Sequence, residues 1–314
     1  MTPRAPLPLP EPLCDAAFTT GDARKHGVSP DRLRARDLDA RVYGIRAPAG
    51  SADDLRKRSR MFAARLPEAT FFSHSTAARL LGAPLPLRFE RMTSLHATVE
   101  APARAPHSKG VIGHSRQVSP GDVLVDDDGI RLSSAPRMLC EMASVLTISD
   151  LVAIADHIIR RGSPLASLKE LSARIEVGDR ITRSPRLRYA LELCDERAES
   201  RPESILRVLL DKAGLPPARI NHELVDTSSG REMRTDFAFL ELMFAIEYQG
   251  DYHRSREQWR RDMTRRSRLE ALGWYVMELN GDDLRDPVEL VARVRTVLER
   301  QSRLFARLEV HDGR

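Results

Sequence analysis

Residues 234–279, reading RTDFAFLELMFAIEYQGDYHRSREQWRRDMTRRSRLEALGWYVMEL, restrict the fold more than any other part of the chain. The segment opens on two runs rich in Phe, Leu, Ile and Tyr, with the length and composition of buried strands. Each run carries one isolated carboxylate, Asp236 in the first and Glu247 in the second. A carboxylate in such a place is costly unless it has a partner or a metal, so chemistry is expected at both. Strand alternation puts Arg234, Asp236 and Ala238 on one face and Phe237 and Phe239 on the core-seeking one. In the second run Ala245, Glu247 and Gln249 share a face, with Ile246 and Tyr248 opposite. If the short link at Glu241 closes a hairpin, Asp236 and Glu247 converge. Two carboxylates and an amide oxygen form the hard donor set that suits Mg²⁺, an ion that activates water and neutralises charge on a phosphodiester. Salt bridges to the neighbouring arginines are the other outcome open to the same acids.

The surrounding pattern reads as a helix over 200–212, a strand over 220–225, the two acid-bearing strands, a charged helix over 255–272, a strand over 274–279 and an amphipathic helix over 287–304. Asp236, the segment EYQGDYH at 247–253, Arg261-Asp262 and LGWYV at 272–276 resemble the very-short-patch-repair-like endonuclease domain. That family is a branch of the PD-(D/E)XK nuclease superfamily. PESILR at 202–207 and AGLP at 213–216 extend the likeness upstream, so that it covers about the last third of the chain. The resemblance implies an α+β chain whose residues 184–306 form a restriction-endonuclease-like αβββαβ domain. It also implies Mg²⁺ as cofactor, Asp236 and Glu247 as metal ligands and catalytic residues, Gln249 completing the site and Glu203 assisting from the first helix. Glu203 has a second reading, since Ser200-x-x-Glu203 is a capping box. One position departs from the pattern. The superfamily usually places lysine two residues after the second acid, and this branch commonly aspartate; here Gln249 can act neither as base nor as cation.

A DNA partner is expected on local charge. The formal net charge is +5, from 50 Lys+Arg against 45 Asp+Glu, which alone tilts only modestly toward nucleic acid. More telling is the density of arginine just after the acidic site: Arg254, Arg256, Arg260, Arg261, Arg265, Arg266 and Arg268 crowd one helix and, with His253, form a candidate phosphate-tracking surface. A solvated basic helix face is the alternative. Cys14, Cys140 and Cys194 lie far apart with neither metal nor disulfide spacing, as expected of a cytoplasmic protein. No apolar run is long enough to span a membrane, and no signal-peptide pattern opens the chain. P-loop, Rossmann glycine and nucleophile-elbow patterns are missing.

Residues 1–15 are proline-rich and expected to be an extended tail, and 307–314 a second tail. Residues 16–50 read as a helix capped by Thr19 or Thr20, a turn at His26-Gly27, a second helix from Ser29-Pro30 and a β-ribbon over 41–47. That is the order of a winged helix-turn-helix. Gly27-Val28-Ser29, Arg32-Leu33 and Val42-Tyr43-Gly44 resemble the N-terminal domain of AbiEi-type antitoxin regulators. The resemblance places Arg32, Arg34 and Arg36 on or near a DNA-recognition helix and admits a partner toxin. Residues 51–183 read as a mixed α/β middle region of the same kind. His107 and His114 have no acidic or cysteine companion at metal spacing, so a structural or solvated role is expected of them. Two functions follow: a Mg²⁺-dependent DNA endonuclease, or a non-catalytic DNA-binding regulator built on a degenerate nuclease fold.

Overall fold

The computed structural model describes residues 6–14, 17–177, 184–226, 230–250 and 256–312. It is an α+β chain in two compact units, residues 1–145 and 146–314. Helices assigned from sequence to the middle region pack into the second unit, because their buried acids, Asp150 and Asp156, find arginines there.

Unit 1 begins with β1 (Phe18–Thr19) and α1 (Thr20–Lys25). Thr19 caps the helix, its hydroxyl accepting from the Asp22 N–H at 3.0 Å. The expected recognition helix does not form. Its place is taken by one 3-10 turn, Arg32–Arg34, which buries Leu33 in a small core with Leu13, Phe18, Ala23, Val28 and Leu38. The guanidinium of Arg32 folds back onto Asp37 in a bidentate pair at 2.7 and 2.9 Å and also donates to the Leu7 carbonyl. Arg34 pairs with Asp31 at 3.1 Å, and Arg36 is exposed. The β-ribbon is likewise replaced: β2 (Leu38–Asp39) and β3 (Ile45–Pro48) join β1 in a three-stranded sheet of order β1-β3-β2.

The rest of unit 1 is a five-stranded sheet with helices. In chain order come α2 (Leu55–Ala63), β4 (Phe71–Phe72), α3 (His74–Leu80), α4 (Leu87–Glu90), β5 (Leu95–Glu100), β6 (Val111–Arg116), β7 (Val123–Val125), β8 (Arg131–Ser133) and α5 (Ala135–Met142). The sheet order is β6-β5-β4-β8-β7. The Asp126-Asp127-Asp128-Gly129 loop closes the β7–β8 hairpin, as its turn chemistry predicts.

Unit 2 opens with α6 (Ile148–Ile159), α7 (Leu168–Val177) and α8 (Pro185–Leu193), followed by α9 (Arg201–Lys212). Then come β9 (Arg219–Asp226), β10 (Arg231–Phe239), β11 (Phe244–Tyr248), α10 (Arg256–Ala271), β12 (Tyr275–Leu279) and α11 (Pro287–Asp312). The helix, three strands, helix, strand order expected of residues 200–279 is the order found. β9, β10 and β11 are antiparallel, β12 joins β11 in parallel, and the sheet order is β12-β11-β10-β9. Phe237, Phe244, Ile246 and Leu279 are buried on one side of the sheet with Leu206 and Leu210 of α9 and Leu290 and Val294 of α11. Each fully buried Phe contributes about 2–3 kcal/mol. A smaller cluster of Met233, Leu269 and Val276 seats α10. No helix among the described residues is long and apolar enough to cross a membrane.

Candidate acidic site and its arginine cleft

Hairpin closure depends on the link between β10 and β11. Leu240–Leu242 makes one 3-10 turn and Met243 takes a left-handed conformation, φ 42°, which reverses the chain. The two strands then pair as Phe239↔Phe244, Ala238↔Ala245 and Phe237↔Ile246. Continued by one residue, that register sets Asp236 across from Glu247. The ladder stops there. The Tyr248 N–H donates instead to the Asp236 carboxylate, Oδ2, at 2.7 Å. Asp236 thus stands in the fork where β10 leaves β11 and continues with β9 alone.

Sequence reasoning missed two members of this row. Glu247 pairs in parallel register with Glu278 of β12, so the two acids share a face. Across the fork, position 221 falls opposite Asp236, and Asn221 holds a left-handed φ of 45°. The row runs Glu278, Glu247, Asp236, Asn221 across four strands. Glu278 was hidden because its strand, YVMEL, reads as an edge with one solvated acid; Asn221 gave no signal beyond that of a polar strand residue.

Arginines of α10 close over the acids. Arg265 binds Glu247, which is buried, and Arg266 reaches Glu278 at 3.2 Å and Glu270 at 2.9 Å. The salt-bridge outcome open in the sequence is therefore realised at Glu247. Asp236 differs. Burial raises its pKa above the usual carboxylate range; the Tyr248 N–H opposes that shift, the charge of Glu203 adds to it, and Arg265 and Arg234 lower it. A carboxylate under that stress, with the Glu247 carboxylate next to it in the row, offers the kind of donor a hard divalent cation takes. Gln249 is turned to β12, its amide nitrogen 3.4 Å from Glu278 Oε1.

Glu203 is a capping residue in this structure. It accepts from the Ser200 hydroxyl at 2.6 Å and the Glu199 N–H at 3.0 Å, while Ser200 Oγ accepts from the Glu203 N–H at 3.3 Å. Asn221 donates to Glu203 at 2.8 Å and to the Arg197 carbonyl at 2.7 Å, which ties α9 to β9. Glu203, Asp236 and Glu247 do not bring three ligand atoms within 4.8 Å; among the described residues that is found at His74, His96 and His114.

Beside the acids lies a cleft of about 560 Å³ bordered by Arg231, Arg234, Arg260, Arg265 and Arg268. Arg260, Arg265 and Arg268 were expected on this surface; Arg231 and Arg234 join them from β10. Arg234 is braced by a bidentate pair with Glu199 at 2.7 Å. His253 and Arg254 lie outside the described residues, as does the Arg261 side chain.

Comparison with known proteins leaves the class open. No family model matches the chain. It is 34% identical over 115 residues to two Mycobacterium tuberculosis proteins, the uncharacterized proteins MT2308 (strain CDC 1551 / Oshkosh) and Rv2248 (strain H37Rv). The match takes in 36% of this chain and 42% of those relatives, so the chain spans about two fifths of the curated relatives' length. Among solved structures, the RV2827C protein of M. tuberculosis is similar with a TM-score of 0.39 at 15% identity, over 67% of this chain and 84% of that one.

Proposed function

We propose that unit 2 is a Mg²⁺-dependent DNA endonuclease with a restriction-endonuclease-like core. The observation that carries the reading is Asp236 in the strand fork across from Glu247, beside a cleft bordered by five arginines. The helix, three strands, helix and strand order of the unit agrees with it. Asp236 and Glu247 would hold the ion, which would supply activation of a water and neutralisation of phosphodiester charge. The chain's own groups do the rest. Tyr248's N–H fixes one oxygen of Asp236. The cleft arginines grip backbone phosphates on either side of the scissile bond. A phosphate entering the cleft competes for Arg265 and so releases Glu247. Glu203 acts by positioning α9 through its cap and its bond to Asn221.

A second reading has its own support: Arg265 already neutralises Glu247, and Gln249 stands where the superfamily usually has lysine. Here the unit binds DNA without cutting it, as an antitoxin-like regulator, with a toxin as possible protein partner. Cleavage of single-stranded, mismatched and branched DNA with and without Mg²⁺ separates the two. In the enzyme Asp236→Ala lowers the rate at least about a hundredfold, the scale of one lost electrostatic stabiliser, and Gln249→Ala costs less. Cleavage undiminished in Asp236→Ala would refute the mechanism. Tight DNA binding with no cleavage on any substrate would install the regulator.

A further inference from the structure

We propose that His74, His96 and His114 form a binding site for a divalent transition metal ion of the Zn²⁺ class, three imidazoles from unit 1 with solvent at the fourth position. The site is independent of the acids of unit 2.

The fold places these histidines, far apart in sequence, deliberately close. β5 and β6 are parallel neighbours in the register His96↔Ile112 and Thr98↔His114, so His96 and His114 are diagonal neighbours on one face. His74, the first residue of α3, lays its ring on His114 with centroids 4.0 Å apart. His96 Nδ1 and His114 Nε2 face each other at 2.9 Å. One ligand atom from each of the three lies within 4.8 Å of the others. His107, the fourth histidine of the region, is exposed and plays no part. His114, for which a structural or solvated role was expected, is brought together with His74 and His96.

Surrounding groups hold the first ligand as metal-binding histidines are held. His74 Nδ1 lies 3.0 Å from Ser73 Oγ, which in turn accepts from the Thr98 hydroxyl at 2.7 Å. This leaves Nε2 for a metal. His74 keeps a left-handed backbone, φ 51°, uncommon for a residue with a side chain. Its N–H is anchored on Glu141 Oε2 at 2.8 Å. Glu141 is fixed by Arg137 at 2.7 Å and by the Ser133 hydroxyl at 2.9 Å, so both its oxygens are engaged and the fourth coordination position falls to solvent. Burial lowers the pKa of all three rings, to about 3 for His74 and about 4 for His114, which keeps them in the neutral, ligating form.

Nitrogen-only donors select the metal class. Imidazole suits Zn²⁺, Cu²⁺, Ni²⁺ and Fe²⁺, whereas Mg²⁺ prefers oxygen. At Zn–N distances of about 2.0–2.1 Å two tetrahedral ligand atoms stand roughly 3.4 Å apart, so the His96–His114 pair opens by about half an ångström on binding. Three protein ligands with an exchangeable fourth is the arrangement of zinc sites that act on a bound water.

The test uses the untagged full-length chain, stripped of metal with EDTA and dialysed, then titrated with Co²⁺. Visible d–d bands saturating at one equivalent are expected. They should be displaced by Zn²⁺, untouched by excess Mg²⁺, and shifted by azide at the open position. His96→Gln and His114→Gln should each weaken Co²⁺ binding at least about a hundredfold, while His107→Gln and Asp236→Ala leave it unchanged. Far-UV circular dichroism checks that the variants fold. If they do not, X-ray absorption of the Zn²⁺-loaded parent chain is to show three imidazole nitrogens in the first shell. Failure to saturate at one equivalent, bands that persist in both histidine variants, bands lost in Asp236→Ala, indifference to azide, or an oxygen-dominated shell would each overturn the site.

Discussion

On the four-stranded sheet three acids, Glu278, Glu247 and Asp236, stand in one row, and at the five-stranded sheet of the other unit three imidazoles gather. Their charge is settled differently. Glu247 and Glu278 are met by Arg265 and Arg266, fixed cations on one helix. The histidines meet one another, and the nearest carboxylate, Glu141, is already held by Arg137. The acid row is a charged network in which a metal must compete with arginine for its ligands. Burial disfavours the charged form of the three imidazoles, and their ring nitrogens are bonded to one another and to Ser73. The same physics of burial therefore meets acids with arginines in one unit and leaves the imidazoles to one another in the other.

The largest expected effect lies beneath the histidines. Arg137 is buried, 3% exposed, and bridges two acids, the buried Asp122 at 2.6 Å and the mostly buried Glu141 at 2.7 Å. Arg137→Met strands both charges and is expected to cost about 3–5 kcal/mol. Unit 1 should unfold first in a far-UV dichroism melt and lose its Co²⁺ bands with it. A change below about 1 kcal/mol would mean that the pairs are hydrated and the cluster rests on other support.

The counterpart in unit 2 is Arg265, whose side chain is 37% exposed against 4% for Glu247. Arg265→Met should cost about 2–3 kcal/mol, less than Arg137→Met because water reaches the guanidinium. It also uncovers Glu247. If the acids take Mg²⁺, millimolar Mg²⁺ should recover part of the lost Tm in Arg265→Met and much less in the double variant Arg265→Met, Asp236→Ala. A Tm indifferent to Mg²⁺ in both would favour the regulator.

The contrast between the sites also explains what could be read from sequence. Asp236 and Glu247 announce themselves because each interrupts an apolar run, and the order of elements around them follows from caps and glycines such as Ser200 and Gly214 (φ +66°). Glu278 did not, since its membership of the row depends on a parallel pairing across a helical crossover. The histidines sit at 74, 96 and 114, joined by sheet register and by one helix start, and no local spacing encodes that. The recognition helix failed for a related reason. Ser29-Pro30 is a fair helix start, but Leu33 and Arg32 satisfy a small core and Asp37 better in a single turn.

Two acids turn the comparison into a pH experiment with opposite signs. In unit 1 the Arg41 guanidinium, helped by the Ala52 and Arg41 N–H groups and opposed by burial, lowers Asp39 to about 2. Its contribution is present above about pH 4 and fades as pH falls toward 2. In unit 2 burial raises Asp156 to about 6, outweighing Arg207, Ser204 and the Asp195 N–H. A raised carboxylate favours the protonated folded state, so its contribution is full below about pH 4 and lost as pH rises through about 6. The loss is at most about 3 kcal/mol. Both tryptophans, Trp259 and Trp274, belong to unit 2, so their fluorescence in urea reports on this acid. Asp156→Asn should flatten the slope between pH 4 and 6. An unaltered slope would assign it to other groups.

The smallest effect tests whether the strand fork is built into the backbone. Asn221 and His74 are both left-handed residues beside a polar cluster, and Asn tolerates that conformation better than most. Asn221 also donates to Glu203 and to the Arg197 carbonyl. Asn221→Ala loses both bonds and keeps a Cβ in a conformation that disfavours one; Asn221→Gly loses the same bonds and no longer has the clash. Both should destabilise unit 2, the bonds together being worth about 2 kcal/mol, with Ala the worse by about 1 kcal/mol. Urea midpoints read by tryptophan fluorescence resolve a difference of that size. Equal midpoints would mean that the backbone at 221 relaxes to an extended conformation once the amide is gone, so that side-chain bonding alone bends β9 beside Asp236. A clear advantage for Gly would show that the bend is held by the fold around it, and that the opening in which Asp236 stands survives loss of the tie to Glu203.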